Sequence, residues 1–296
     1  MPDPVTILVE WRDDPRAGPI LDGLARAVVD LGRGCVRWRH GTGLPHGVPG
    51  GDLAQAIVWN GLTPEYDELR AEAEYGLPVL YAELGWLPHD TTFQLDPQGV
   101  NALASWADEP VRAPERGPLP VRDGDLLVLL QWDDDQQIRH LSPWFESMAA
   151  WLRFLDTCVR GLPMVVRPHP AFAPGLDVLQ IVERSTRMRW DGSATLAEAL
   201  AGAAAVATIN SSAAVQALAA GLPVLCYGRA VYRHWPAVWT MGPQPEFTTA
   251  AIRRLRHRSE VAGRGAVAAI VERIMGRQWR LDDLPWRLAP LLAGPE

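Results

Sequence analysis

The chain has 296 residues, enough for two domains, and its 48% hydrophobic content allows a buried core in each. A net charge of −7 argues against general nucleic-acid binding, so we predict no nucleic-acid partner. No apolar run reaches the roughly eighteen residues of a membrane span, and the first residues do not resemble a signal peptide. The sequence therefore predicts a cytoplasmic protein. Its three cysteines are far apart, which predicts buried thiols, no metal site and no cofactor.

The first half of the chain alternates apolar runs with helical patterns. Strands are predicted at 5–10, 35–39, 54–60 and 79–83, and helices at 19–31 and 63–75. The Gly/Pro-rich stretch 40–51 is predicted to be a loop, and 92–101 a short strand and turn. Strands that alternate with helices predict a parallel, doubly wound sheet.

Three residues that can recognise a sugar follow the strand at 79–83, namely Glu83, Trp86 and His89. Ligands of doubly wound sheets bind beyond the carboxyl ends of the strands, so we predict an acceptor or sugar contact here. The alternative is a surface loop with a packing tryptophan.

The proline-rich stretch 109–122 is predicted to link a first domain, 1–108, to a second, 123–296. The second domain repeats the alternation, with strands at 125–131, 164–167, 188–190, 205–209 and 224–227 and helices at 143–159, 178–184, 195–201 and 213–220. A polar turn is expected at 132–140, and 248–292 is helical and rich in arginine. We predict an α/β protein with two Rossmann-like halves facing across a cleft, a GT-B-like architecture.

The stretch 205–232 is a strand, a polar turn, a helix and a second strand. Asn210, Ser211 and Ser212 form the turn, and such side chains favour helix N-caps. A helix start of this kind can bind a phosphate or a carboxylate. The alternative is a capped helix that binds no ligand.

Three strand ends of the second half carry polar clusters, at 131–137, 167–170 and 210–212, and a doubly wound sheet brings them to one edge. This mixture suits a nucleotide-linked sugar, with Arg167 holding phosphate and a carboxylate near the anomeric carbon. The carboxylates are Asp133, Asp134 and Asp135, which also fit a solvated turn. His169 is held between two prolines, and a packed turn histidine is its alternative.

The ordered set of these motifs resembles the capsule-polysaccharide biosynthesis family of bacterial retaining β-Kdo glycosyltransferases. The motifs are Gln131…Asp135, Arg167-Pro168-His169-Pro170, Asn210-Ser211-Ser212 and Gly221-Leu222-Pro223-Val224, with Tyr81-Ala82-Glu83-Leu84-Gly85-Trp86-Leu87-Pro88 nearer the N-terminus. The likeness covers most of the chain, from Trp59 to Tyr232.

The resemblance implies a GT-B-like fold, a CMP-Kdo donor, retention at the anomeric carbon and no required metal. It makes Asp135 the best match for the catalytic carboxylate, with Asp133 and Asp134 as other registers, and matches His169 to the family's His-Pro motif. The donor side is then Gln131, Arg167, Asn210, Ser211, Ser212, Gln216 and Tyr232. Gln216 departs from the family, which usually has Glu at this position.

The sequence thus predicts a retaining glycosyltransferase that moves Kdo from CMP-Kdo to a glycan or glycolipid acceptor. One alternative is a GT-B transferase or epimerase that uses a UDP- or GDP-sugar. Another is a non-catalytic capsule-assembly or glycan-binding protein. The arginines at 253, 254, 256 and 258 predict peripheral association with the inner face of the cytoplasmic membrane, against a solvated helix face as the alternative.

Overall fold

The structure is a computed structural model that describes residues 6–39, 42, 53–62, 66, 76–111, 123–256 and 264–292. Three predicted segments lie outside the described residues. They are the helix at 63–75, apart from Tyr66, the loop at 40–51, apart from Thr42, and residues 112–122 of the linker. The chain forms two compact units. The first unit comprises Met1–Trp106 and Ile274–Glu296, and the second comprises Ala107–Arg273.

The first unit contains a five-stranded sheet formed by β1 (Thr6–Glu10), β2 (Gly34–Trp38), β3 (Leu53–Trp59), β4 (Val79–Leu84) and β5 (Phe93–Asp96). Its order is β2-β1-β3-β4-β5. The strands are parallel, as predicted, except for β5, which pairs antiparallel with β4. The connection 85–92 is too short for the helical crossover that a parallel pair needs.

Helix α1 (Ala17–Asp30) covers this sheet with an apolar face that includes Leu21, Leu24 and Val28. It starts before the predicted 19 because the Asp14 carboxylate accepts hydrogen bonds from the N–H groups of Arg16 and Ala17, at 2.8 Å each. It stops before Gly32, whose φ of 72° few other residues adopt readily.

The second unit contains a six-stranded sheet formed by β6 (Asp125–Leu129), β7 (Met164–Arg167), β8 (Met188–Trp190), β9 (Ala203–Thr208), β10 (Val224–Cys226) and β11 (Val238–Thr240). Its order is β11-β10-β9-β6-β7-β8, and every neighbouring pair is parallel. The strand ends after β6, β7 and β9 therefore lie at one edge, as the sequence predicted.

The helices of this unit are α2 (Gln136–Leu141), α3 (Met148–Cys158), α4 (Leu176–Arg184), α5 (Leu196–Ala201), α6 (Ala213–Ala219) and α7 (Pro245–Arg256). Two of them differ most from the prediction. The expected polar turn contains α2, which Asp135 caps. The helix predicted at 143–159 starts only at Met148, because the Ser147 hydroxyl caps it through the N–H of Ala150.

The C-terminal segment corrects the predicted domain boundary. Helix α8 (Arg264–Arg277) leads out of the second unit, and the segment then forms α9 (Ala289–Leu292) in the first unit. Trp279 and Phe93 exchange backbone hydrogen bonds of 2.7 and 2.9 Å, and the Gln278 side-chain oxygen accepts from the N–H groups of Trp86 and Leu87. The predicted second domain, 123–296, is too long because this pairing joins residues far apart in sequence.

Candidate active site

The second sheet changes direction beside β6. The chain passes from β6 to β7 on one side, and later returns to β9 on the other side. Ligands of doubly wound sheets bind in the crevice beyond such a switch point. The loops that follow β6 and β9 contain seven of the predicted site residues, and the loop after β7 contains His169.

An amide pair, which we call the amide lock, joins these loops. The side-chain nitrogen of Gln131 donates to Asn210 Oδ1 at 2.9 Å, and the Asn210 backbone N–H donates back to Gln131 Oε1 at 3.1 Å. Asn210 Nδ2 also donates to the carbonyl oxygens of Gln137 and Arg229. Both amides are buried, so they act by holding the loops in place.

Ser211 and Ser212 have different roles, although both were expected to cap α6. The Ser211 hydroxyl accepts from the N–H of Ala213 at 3.2 Å, and the Ser211 N–H donates to the Thr208 hydroxyl at 3.1 Å. Ser212 has helical backbone angles and its side chain makes no capping hydrogen bond. Gln216 lies one helical turn after Ser212 and shares its face of α6.

Tyr232 supports this loop from the protein interior. Its ring is 1% exposed, and its hydroxyl donates to the Ser211 carbonyl at 2.8 Å. Burial, together with nearby Cys226, raises the pKa of Tyr232, so the hydroxyl stays protonated. The predicted donor contact is thereby corrected to a supporting contact beneath Ser211.

The three consecutive carboxylates have three different environments. Asp133 accepts from the N–H of Met148 at 2.6 Å, and burial raises its pKa, to which Asp177 and Asp134 contribute. Asp134 forms an exposed ion pair with Arg139. Asp135 is half-buried and accepts from the N–H of Gln137 at 2.8 Å, which fixes the orientation of its carboxylate. Asp133 thus has a raised pKa, and Asp135 is held in one orientation.

Arg167 is paired within the protein. Its guanidinium contacts the carboxylate of Asp191 and donates to the Ser193 carbonyl at 3.2 Å. Burial alone would raise the pKa of Asp191, but hydrogen bonds from Ser193 and Arg167 hold it below its usual value. The charge that was expected to hold phosphate is therefore balanced by Asp191.

His169 lies in the loop after β7. Its Nδ1 accepts from the N–H of Ala171 at 3.2 Å, which places the proton of the neutral ring on Nε2. The centre of its ring is 5.0 Å from that of Phe172, and Phe172 stacks on Trp132 with centroids 4.5 Å apart and planes 10° apart. The sequence reading did not anticipate this group of rings, because Phe172 and Trp132 follow different strands.

The three predicted sugar contacts of the first unit are only partly accessible. Trp86 is 1% exposed and packs edge-on against Trp106, so its predicted sugar contact is corrected to a core position. Glu83 is half-buried and accepts from Asn60 Nδ2 at 3.0 Å. His89 Nδ1 donates to the Gly85 carbonyl at 2.6 Å, and burial lowers the pKa of His89.

A charged network that the sequence reading missed lies at the switch point of the first sheet, beside β1. Glu10 is fully buried and accepts from Arg12 Nε at 2.6 Å, the Tyr66 hydroxyl at 2.9 Å and the Trp59 N–H at 2.6 Å. Arg12 also donates to the Tyr66 oxygen. The sequence signal for this network was a glutamate at the end of an apolar run, because a buried carboxylate needs hydrogen-bond donors or an opposite charge.

Comparisons with known proteins show the family and the fold of the chain. A family model described as "Capsule polysaccharide biosynthesis protein" matches residues 88–260, more than half of the 296 residues. The chain belongs to the capsule polysaccharide biosynthesis protein family. The family match contains the amide lock, the three carboxylates, His169 and the Ser211–Ser212 turn, whereas Glu83 and Trp86 precede it.

A curated protein, FixF of Sinorhizobium fredii, is 26% identical over 206 residues, which cover 61% of this chain and 50% of that protein. The chain thus spans about half the length of this relative. A structure titled Thermosulfurimonas dismutans KpsC, beta Kdo 2,7 transferase, has a TM-score of 0.57 and 16% identity, covering 97% of this chain and 99% of that one. The corresponding beta Kdo 2,4 transferase has a TM-score of 0.51 and 15% identity, covering 98% of each chain.

These neighbours confirm the predicted α/β, GT-B-like fold class of this family member. Across the described ranges, every helix is too short or too polar to cross a membrane. The same ranges hold no group of three or more histidine, cysteine or carboxylate side chains suited to a metal ion. Metal independence of a reaction remains a prediction.

Proposed function

We propose that this protein is a retaining glycosyltransferase that moves Kdo from CMP-Kdo onto a glycan or glycolipid acceptor in the synthesis of a capsule or related surface polysaccharide. The edge of the second sheet is the observation that carries the proposal. There the amide lock holds the loops after β6 and β9 together, with Asp133 and Asp135 on one loop and Ser212 on the other. Family membership and the fold shared with two KpsC structures named as Kdo transferases support it.

The donor phosphate is assigned to the loop after β9. Ser211 uses its hydroxyl to accept from Ala213 and its carbonyl to accept from Tyr232. The hydroxyl of Ser212, and Gln216 one turn later, are then the side chains of this loop that meet the nucleotide. A glutamine can hydrogen-bond a ribose hydroxyl, although less strongly than the glutamate usual in the family.

Asp135 is proposed as the nucleophile. Its carboxylate attacks the anomeric carbon, the bond from that carbon to the CMP phosphate breaks, and CMP leaves with the bonding electrons. The acceptor hydroxyl then attacks the same carbon, gives up its proton to a base and releases Asp135. Two successive inversions amount to retention.

The proton transfers are assigned to Asp133 and His169. The raised pKa of Asp133 makes this carboxyl a better proton acceptor than an ordinary aspartate, so we assign it the proton of the acceptor hydroxyl. The Nε2 proton of His169 is assigned to the departing phosphate or to the sugar carboxylate. Arg167 acts through Asp191 and Ser193 by holding the loops after β7 and β8.

A second candidate donor, a UDP- or GDP-sugar, is favoured by one observation. Arg229 is exposed, and its carbonyl accepts from Asn210, so this cation belongs to the same sheet edge. A diphosphate needs more positive charge than a monophosphate. With Arg167 paired to Asp191, Arg229 is the arginine that a diphosphate would use.

A thermal-shift panel of CMP, UMP, UDP and GDP separates the two donors, because a ligand that binds the folded state raises its melting temperature. We expect CMP to give the largest shift. Ser212→Ala should weaken CMP binding about tenfold through the loss of a phosphate hydrogen bond, with unchanged stability of the free protein. Ser211→Ala is the less selective variant, since it also removes a cap.

A larger shift with UDP or GDP that Arg229→Gln abolishes would replace CMP by a diphosphate donor. No shift with any of the four nucleotides would remove the donor site and favour a non-catalytic glycan-binding role. Unchanged CMP affinity in Ser211→Ala/Ser212→Ala would remove the loop after β9 from the site.

We also propose that the protein works in the cytoplasm and associates peripherally with the inner face of the membrane. The acceptors of the resembled family are lipid-linked, and Arg253 and Arg254 are exposed on α7. Arg258 lies outside the described residues.

A further inference from the structure

An aromatic shelf, formed by Trp132 and Phe172, lies beside the carboxylates. The two rings are stacked with centroids 4.5 Å apart and planes 10° apart. Their residues remain 42% and 36% exposed, respectively, although each follows a buried strand closely. Isolated surface aromatics are common, but this pair joins the loops after β6 and β7 at the ligand-binding edge of the sheet.

The neighbours of the shelf limit how it can move. Gln131, directly before Trp132, is buried in the amide lock, and Asp133, directly after it, accepts from the N–H of Met148. On the other loop, the His169 ring lies against Phe172, with centroids 5.0 Å apart. The Trp132 backbone is thus held on both sides, and the shelf is prearranged to receive a flat partner.

The side chains around the two rings are suited to binding a sugar. An indole ring offers a broad apolar face, and the C–H groups on one side of a pyranose ring form a matching apolar surface. Asp133 directly follows Trp132 and accepts one hydrogen bond from the N–H of Met148, and a carboxylate can accept several, so it can also accept hydrogen bonds from sugar hydroxyl groups. An apolar face bordered by hydrogen-bond acceptors is the pattern of a hydroxyl-rich ligand.

The order of the strands distinguishes the sugar from the nucleotide. The loop that we assign to the donor phosphate follows β9, the carboxylates follow β6, and Phe172 follows β7. Phe172 therefore lies on the opposite side of the carboxylate loop from Ser211 and Ser212, and Trp132 lies on the carboxylate loop itself. A ligand that extends from the phosphate loop across Asp135 reaches the shelf with its sugar end.

We propose that the aromatic shelf is a sugar-binding subsite that stacks a pyranose ring, either the transferred residue or the terminal residue of the acceptor. This inference rests on the proposed glycosyl transfer for its role, but the binding itself can be tested without turnover. Trp132 provides the ring face, and Phe172 holds Trp132 in place.

Saturation-transfer NMR on the full chain tests the subsite directly, with Kdo, the methyl glycosides of glucose, galactose and mannose, and cytidine as probes. We expect ring C–H signals from at least one sugar with the wild type and with Trp132→Phe, and an about tenfold weaker affinity with Trp132→Ala. Phe172→Ala should reduce the signal less. Signals from Kdo indicate the transferred residue, and signals from a hexoside indicate the acceptor.

Two exposed aromatics serve as matched controls, Trp286 in the first unit and Phe247 on α7, which are 67% and 58% exposed. Trp286→Ala and Phe247→Ala should leave the sugar signals unchanged. The subsite is refuted if no sugar gives a signal, or if Trp132→Ala keeps the wild-type sugar signals. It is also refuted if the control variants lose as much sugar signal as Trp132→Ala, or if cytidine is the one probe whose signal Trp132→Ala reduces. Sugar binding that depends on Trp132, in a protein that no nucleotide stabilises, would retain the subsite and reject the proposed transfer.

Discussion

The two sheets share a doubly wound topology, but their switch points are built from opposite chemistry. In the first unit a buried carboxylate, Glu10, is satisfied by Arg12, Tyr66 and Trp59. In the second unit two neutral amides, Gln131 and Asn210, satisfy each other, and the carboxylates lie outside the lock. In the first arrangement the charge is balanced inside the protein, whereas in the second the carboxylates lie on the loop beside the lock. This difference supports our proposal that the chemistry takes place in the second unit, and it gives Glu10 a structural role.

The variant with the largest expected effect is Asp135→Asn, which removes the charge of the proposed nucleophile and keeps its shape. We expect turnover of CMP-Kdo to fall about a thousandfold or more, with CMP binding nearly unchanged, because the lost interaction belongs to the chemical step. Intact-mass spectrometry of the wild type with CMP-Kdo and no acceptor should show a sugar adduct on this peptide.

Asp133→Asn and Asp134→Asn are the matched variants for that experiment. If one of these abolishes transfer while Asp135→Asn does not, the nucleophile is a neighbouring carboxylate. Normal turnover in all three would end the carboxylate-nucleophile mechanism at this loop.

Glu10→Ala tests the other switch point. Removal of one partner from a buried ion pair takes the carboxylate away from Arg12 and from the Trp59 N–H, whereas the Tyr66 hydroxyl keeps the Trp59 carbonyl as its acceptor. The change should cost about 3–5 kcal/mol of unfolding free energy. Urea denaturation measures the change. Asp134→Asn, which breaks the exposed pair with Arg139, is the control and should cost less than about 1 kcal/mol. Equal effects of the two variants would contradict the contrast between a buried and an exposed charge.

Asp191→Asn should have a smaller, pH-dependent effect. The native pKa of Asp191 lies below its usual value, so the ionised carboxylate stabilises the fold above the unfolded pKa of about 4, and this stability is lost as the pH falls through the native pKa. We expect a loss of about 1.5–3 kcal/mol at pH 7, because hydrogen bonds to a charged group are removed. Denaturation from pH 7 to pH 2 should show wild type and variant converging in acid, whereas a constant difference would argue against the ion pair.

The smallest effect is expected at the membrane, where each basic residue contributes on the order of 1 kcal/mol near an anionic surface. Arg253→Gln/Arg254→Gln should reduce co-sedimentation with vesicles of anionic phospholipid and leave the weak binding to neutral vesicles unchanged. If the wild type sediments equally with both vesicles, these arginines form a solvated helix face.

Sequence patterns predicted the features that depend on neighbouring residues. Apolar runs bounded by Gly and Pro marked the strands, and parallel order then placed Gln131, His169 and Asn210 at one edge. What failed depended on contacts between distant positions. The burial of Trp86 requires Trp106, and the network around Glu10 requires Tyr66, which lies 56 residues away. Donor and catalytic roles were reached through family resemblance and stay predictions.

The pairing of Trp279 with Phe93 makes the second unit an insertion within the first. On the ribosome, residues 107–273 emerge before the first unit has received its last segment. The second unit can therefore fold while the first still lacks the side chain of Gln278, which satisfies the N–H groups of Trp86 and Leu87. A truncation shortly after residue 273 would therefore damage the domain that is synthesised first and spare the one synthesised second.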